Sequence, residues 1–259
     1  MKKILFLLII LYSYSNLNAQ LNNNPFDKLS QSLFENEMLS NRFLRNFTLI
    51  KTNSYKKRAL RDMDQSLAKF DDNLSYIILH LPDNHDVKED FMKLQNLWNV
   101  YRMHVTNYGK NNYKSLIRKT LKLDQLTNSL KIKILDLQNA NSINSNTIKT
   151  INYMIENAKK TDQLLTMYVL QGGLKFTDAS SYYDVDFSDL YKKIKKISKY
   201  KYKTTDTNEI LIDLNNSIKM MESLITKKGY NPKMLFSDVN NYSKKSFLLF
   251  KKFMNTIKN

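Results

Sequence analysis

The chain has 259 residues, 42% of them apolar and 25% charged, with 4 Gly, 3 Pro and no Cys. Its length suffices for one large or two smaller cores, and the lack of Cys excludes disulfides, thiolate metal sites and cysteine nucleophiles. So few Gly and Pro argue against a turn-rich sheet protein, and a net charge of +17 favours acidic partners.

At the start, Lys2 and Lys3 precede an apolar run from Ile4 to Tyr12, and Leu17-Asn18-Ala19 precedes Gln20. This is the layout of a cleaved signal peptide over 1–20. The run is short of the ~20 residues a membrane-spanning helix needs, and no later stretch is apolar enough to cross. The expected location is the periplasm or the outside of the cell, with a net charge of +15 once Lys2 and Lys3 are gone.

Four amphipathic runs follow. Leu29, Leu33, Asn36, Ser40, Phe43, Phe47 and Ile50 step by threes and fours and predict a helix near 26–53. Leu60, Met63, Leu67, Phe70, Leu74, Ile77 and Leu81 predict a second near 56–81, stopped by Pro82. Val87, Phe91, Leu94, Trp98, Tyr101, Val105 and Tyr108 predict a third near 85–108, with Asp83 or Asn84 as its cap. Tyr113, Leu116, Thr120, Leu123, Thr127, Leu130, Ile134 and Leu137 predict a fourth near 111–140.

The plan then recurs. Ile148, Ile151, Ile155, Ala158, Asp162, Leu165 and Val169 form a fifth stripe, and Phe187, Leu190, Ile194 and Ile197 a shorter sixth. Leu211, Leu214, Ile218, Met221 and Ile225 lie 120 positions after Phe91, Leu94, Trp98, Tyr101 and Val105, and the same shift lays Gly229 on Gly109 and Asn231 on Asn111. A last helix is expected from Pro232 to Ile257. The expected fold is all-α, two tandem four-helix bundles running up-down-up-down, over 21–140 and 141–259.

The first helix is unusual in placing Asn36 and Ser40 on its seam, where a polar group is costly unless it finds a partner. Around them the chain reads Asn36-Glu37-Met38-Leu39-Ser40-Asn41-Arg42. Met38, Ser40 and Arg42 resemble the signature of the N-terminal sensory domain of type IV pili methyl-accepting chemotaxis transducers, which is related to the periplasmic sensor of nitrate/nitrite histidine kinases. Leu67 with Phe70, and the lone Trp98, are similar to its later helices. In the second half, Asp162 to Tyr168 occupies the same place 126 positions on, with Thr166 for Ser40 and Tyr168 for Arg42. The resemblance implies a four-helix sensory bundle, in which a small anion is held by helix-one arginines near a symmetric dimer contact. Glu37 stands where the family has a base, and a carboxylate repels nitrate. The implied ligand site comprises Asn36, Ser40 and Arg42, with Asp162 and Thr166 from the second copy.

Other constellations are less specific. Lys192, Lys193, Lys195, Lys196, Lys199 and Lys201, interleaved with Tyr191, Tyr200 and Tyr202, form a candidate polyanion-binding stretch. His80, His85 and His104 lack metal spacing, and no metal or cofactor is expected. Gly172-Gly173 reads as a helix stop or hinge, and Asp71-Asp72 and Glu89-Asp90 as charge on exposed faces. No Glu-x-x-His occurs, and an enzyme is not expected. The sequence therefore points to an exported binding module for a small ligand or an envelope protein, without a signalling output domain. The alternative is a basic surface-interaction protein on envelope polyanions. Nucleic acid is not an expected partner, and a homodimer remains open.

Overall fold

A computed structural model describes residues 28–107, 113–137, 145–174, 186–200, 204–226 and 232–258. Among them the chain is all-helical, without a strand: α1 (Lys28–Lys51), α2 (Lys56–Leu79), α3 (His85–Thr106), α4 (Tyr113–Leu137), α5 (Ser145–Leu174), α6 (Phe187–Ser198), α7 (Thr205–Thr226) and α8 (Pro232–Lys258). The expected signal peptide, Lys201 and the matched loops around Gly109 and Gly229 lie outside the described residues. None of the described helices is long and apolar enough to cross a membrane.

Local chemistry sets the helix ends. Asn84 caps α3, its side chain accepting from the Val87 N–H at 3.1 Å, and Asp186 caps α6 by accepting from the Asp189 N–H at 2.8 Å. The tight turn from α1 to α2 has no glycine. Asn53 and Tyr55 take left-handed φ of 56° and 58°, tolerable for Asn and costly for Tyr. The Tyr55 ring packs against Phe236 of α8, 5.2 Å between centroids, which holds it there. The helix α5 carries Gly172-Gly173 in its last turn and stops at Leu174.

Helix α1 packs along α2, α4 and α5 and touches α3, while α3 packs on α4 and α2. Helix α5 packs on α6 and α8 as well as α1, and α7 packs on α6 and α8. The two inner helices are therefore α1 and α5. They run parallel, since Glu37 meets Lys159 and Asn41 meets Gln163. Chain neighbours run antiparallel: Asp62 reaches Arg45 and Asn73 reaches Asn36 across α1 and α2.

The 120-residue offset holds structurally. Helices α3 and α7 have 22 residues each, and both ends coincide under that shift. Leu67, Phe70, Leu74 and Ile77 of α2 match Phe187, Leu190, Ile194 and Ile197 of α6, so α6 corresponds to the later half of α2. In the first half the seam is aromatic: Trp98 stacks on Phe70 at 4.1 Å and lies 5.1 Å from Phe43. The indole N–H donates to Asp71 at 2.7 Å, and the Tyr101 hydroxyl meets Thr120 at 2.7 Å. These bonds let two polar-tipped rings be buried without loss.

One surface expectation is corrected. Asp90 is buried rather than exposed, because α4 closes over that flank of α3 and brings Lys133 Nζ to 2.6 Å and the Ser129 hydroxyl to 3.4 Å. The Lys133 bond outweighs burial and lowers the Asp90 pKa. Asp71, too, has work inside the fold as the acceptor for Trp98 and the partner of Arg102 at 3.1 Å.

Candidate functional site

Helix α1 has no solvent face: all its residues except Lys28, Gln31, Arg42 and Lys51 are buried. Yet it carries Glu35, Glu37, Arg42 and Arg45. Charge in such a place persists only when paired, and each of these side chains meets a partner on another helix.

Toward α4 and α5, Glu37 accepts from Lys131 at 2.6 Å and Lys159 at 3.2 Å. Lys159 also pairs with Asp124 at 2.8 Å and Glu156 at 3.0 Å. Burial lowers the Lys159 pKa, but Asp124, Glu37 and Glu156 outweigh it and the net shift is upward. For Asp124, burial wins over Lys159 and the carboxyl is pushed up.

Toward α2 and α5, Arg45 is fully buried and donates to Asp162 at 2.6 Å, to Asn46 at 3.1 Å and to Asp62. Burial raises Asp62, but Arg45 and Arg42 together outweigh it and hold the carboxyl below its usual value. Asp162 is raised by burial, with Arg45 and then Arg42 opposing. Arg42 Nε faces Asp162 Oδ2 at 3.7 Å, an ion pair too long for a hydrogen bond, and both atoms lack a hydrogen-bond partner among the described residues. The rest of that guanidinium donates to the Ser243 hydroxyl and lies 4.5 Å from the centroid of the Phe247 ring.

Of the sequence-derived ligand residues, the fold brings Arg42 and Asp162 together. Asn36 accepts from Asn73 at 2.9 Å. The Ser40 hydroxyl has one proton to give, within reach of the Glu37 carbonyl at 2.8 Å and Asp124 at 2.9 Å. The Thr166 hydroxyl donates to its own turn, at the Asp162 carbonyl, 2.8 Å away. Ser40 and Thr166 thus spend their hydroxyl protons inside the helical core, and Asn36 engages its oxygen there, while the buried Asn36 Nδ2 has no partner among the described residues.

Arg42 instead reaches a surface cavity of about 290 Å³ between α1, α2 and α8. Leu39 and Phe247 give it an apolar floor, and Glu35, Asp62, Lys69, Lys244 and Lys251 its charge. Glu35 is engaged by Lys69 at 2.8 Å and Asp62 by Arg45. Lys244 and Lys251 form no ion pair among the described residues, though the Lys244 charge helps to lower the Asp62 pKa, and the rim keeps a positive surplus.

The basic stretch on α6 is divided. Lys193 pairs with Asp189 at 3.1 Å and Lys196 lies 4.8 Å above the Tyr153 ring. Lys192, Lys195 and Lys199 are exposed. Elsewhere, His85, Asp86 and Glu89 bring ligand atoms within 4.8 Å of one another, all in open solvent.

No protein-family model, curated protein or solved structure matches the chain.

In the sequence Glu37 stands out only as an acid in place of the family's base, and Arg45, Asp62, Asp124, Lys131 and Lys159 carry no motif. A signal was present: Phe34, Met38 and Leu49 sit among Glu35, Glu37, Arg42 and Arg45 on the face of α1 opposite its main apolar stripe, so that face is not a plain polar one. A helix of that kind, rich in Leu and Phe, has to neutralise its charge internally.

Proposed function

We propose that the chain is an exported helical binding module, descended from a sensory-type domain by duplication into two four-helix bundles, and that it holds an anionic ligand in the cavity beside Arg42. The packing of α1 and α5 supports the duplicated plan, since α1 lies on its successors α2 and α4 as α5 lies on α6 and α8. In the family that helix one resembles, an anion sits between helix-one arginines at a symmetric contact. Here α1 and α5 would stand for that contact, and the Asp162 carboxylate already lies against Arg45 and Arg42. A built-in anion at the seam leaves the outer cavity for the ligand. The reading is of a binding protein, not an enzyme.

The observation that carries it is the surplus of Lys244 and Lys251 around a pocket with an apolar floor. A compact carboxylate or phosphate ester with a small apolar body matches both features. Thermal-shift screening with dicarboxylates and phosphate monoesters is expected to find compounds that raise the melting temperature of the full chain. The Lys244→Gln, Lys251→Gln double variant should lose that rise. A screen without a hit, or a hit indifferent to the two lysines, overturns the assignment. Export is checked by mass analysis of protein recovered from outside the cytoplasm, which should begin at Gln20.

A second reading is favoured by the exposed Lys192, Lys195 and Lys199, which suit an anionic envelope polymer. Binding to such a polymer should fall steeply between low and physiological salt; salt-independent retention sinks it.

A further inference from the structure

A groove of about 690 Å³ runs between α6 and α7, within the range typical of ligand sites. Its floor is apolar, from Ile194 of α6 and Leu211 and Ile212 of α7. Ile212 is 61% exposed and adds to the apolar surface of the groove. The groove follows from the offset repeat. Phe91 and Ile78 of the first half stand where the second has Leu211 and Ser198, so both walls lose side-chain volume at one level.

The polar groups of the groove have a pattern. Asn208 and Asn215 line it from α7, and neither carboxamide has a hydrogen-bond partner among the described residues. They are two helical turns apart, roughly 10.5 Å along the axis. Along one edge of an extended chain, the N–H of one residue and the C=O of the second residue after it lie about 9 Å apart, within the swing of the two side chains. Each carboxamide carries the same donor and acceptor as a peptide group, so the pair matches two peptide groups of one strand. Width agrees. Helices in contact lie about 8–10 Å apart, and the furrow between them admits a strand, whereas a helix ~10 Å across rides above it.

Charge selects the strand. Lys195 lines the α6 wall without an ion pair among the described residues, and Lys192 and Lys199 are exposed on the same helix. Of the nearby acids of α7, Glu222 is engaged by the Tyr191 hydroxyl at 2.9 Å and Asp213 by Lys245 at 2.7 Å, while Glu209 is exposed outside the groove lining and is outnumbered by the three lysines. We propose that the α6–α7 groove is a docking site for an extended acidic peptide segment of a partner protein, held by Asn208 and Asn215 through its backbone, by Ile194, Leu211 and Ile212 through alternate apolar side chains, and by Lys195 through a carboxylate. It is separate from the cavity beside Arg42 and stands or falls independently of it.

The test is fluorescence anisotropy of the full chain with a dye-labelled octapeptide alternating leucine and aspartate, at low salt, against its leucine–lysine counterpart. The acidic peptide should bind and the basic one should not. The Asn208→Ala, Asn215→Ala double variant should weaken binding roughly tenfold, the worth of two modest hydrogen bonds. Leu211→Phe, which restores the bulk found at Phe91, should block it. The Lys244→Gln, Lys251→Gln variant should bind as the natural chain does. Melting curves check that each variant folds; Asn208 is exposed and Asn215 half-buried. No binding, equal binding of both peptides, or binding indifferent to both the asparagine and the Leu211 variants overturns the proposal.

Discussion

The α1–α4 and α5–α8 halves share a helical register and fill it differently. At matched positions α3 buries Phe91, Trp98 and Tyr101 where α7 buries Leu211, Ile218 and Met221. The first half spends its volume on a closed aromatic cluster with Phe43 and Phe70. The second keeps the same stripe with smaller side chains and a 12-residue α6 in place of a 24-residue α2. Register depends on where apolar residues fall, while closure depends on how large they are. One half can thus keep the fold and still open a groove on its surface.

What the halves share is the polar seam between α1 and α5, and breaking it should have the largest effect. Arg45→Ala strands Asp162 and Asp62 in the interior, and removing one partner of a buried pair costs about 3–5 kcal/mol. Urea unfolding should show that loss as a lower midpoint. Arg45→Met combined with Asp162→Leu should lose less than its two singles together, since apolar replacement removes the Arg45–Asp162 pair as a unit and leaves Asp62 with the Coulomb attraction of Arg42. If the double variant is as unstable as the sum of its singles, the two residues do not act as a pair and the seam is not what joins the halves.

That seam is also where sequence and structure part. The eight helices and most of their core residues could be read from three-four spacing, with ends mostly within a few residues, because each stripe is a local property. Phe70, Trp98 and Ile218 lie on the stripes that name them. Partners more than 80 positions apart are not local. Nothing near Ser40 announces Asp124, and nothing near Arg45 announces Asp162. The polar residues of α1 were therefore legible as exceptions, while their pairing required the helices to be placed. Arg42 was legible as a binding candidate, but the cavity it reaches is made by α2 and α8.

The contrast between closed and open halves is tested by exchanging side chains at matched positions. Trp98→Ile installs the residue of Ile218 and removes a stacked ring from a closed core, which should cost roughly 3 kcal/mol through lost burial and a residual cavity. Leu211→Phe is the reverse exchange. Its ring enters the α6–α7 groove, so stability should change by no more than about 1 kcal/mol. Thermal unfolding of both variants decides the matter. Comparable losses would mean that Leu211 is as tightly confined as Trp98, and the second half would be no more open than the first.

The smallest effect separates the ties between inner and outer helices. In the first half the inner helix supplies the acid, Glu35, and α2 the base, Lys69, 2.8 Å apart. In the second the order is reversed: Asp189 of α6, at the position matching Lys69, accepts from Lys160 of α5 and from Lys193. The Lys160 and Lys193 bonds bring the Asp189 pKa down from 3.8 to about 2. A depressed carboxyl stabilises the fold above its unfolded value and ceases to as pH falls through the folded one. The tie between α5 and α6 should therefore be whole at neutral pH and vanish between about pH 4 and pH 2. Asp189 is partly exposed, so solvent screening limits its worth to about 0.5 kcal/mol. Asp189→Asn should accordingly melt slightly earlier than the natural chain at pH 7, and the two curves should converge near pH 2. A gap that persists in acid would show that the side chain acts through packing, and the reversed polarity of the two halves would then have no electrostatic consequence.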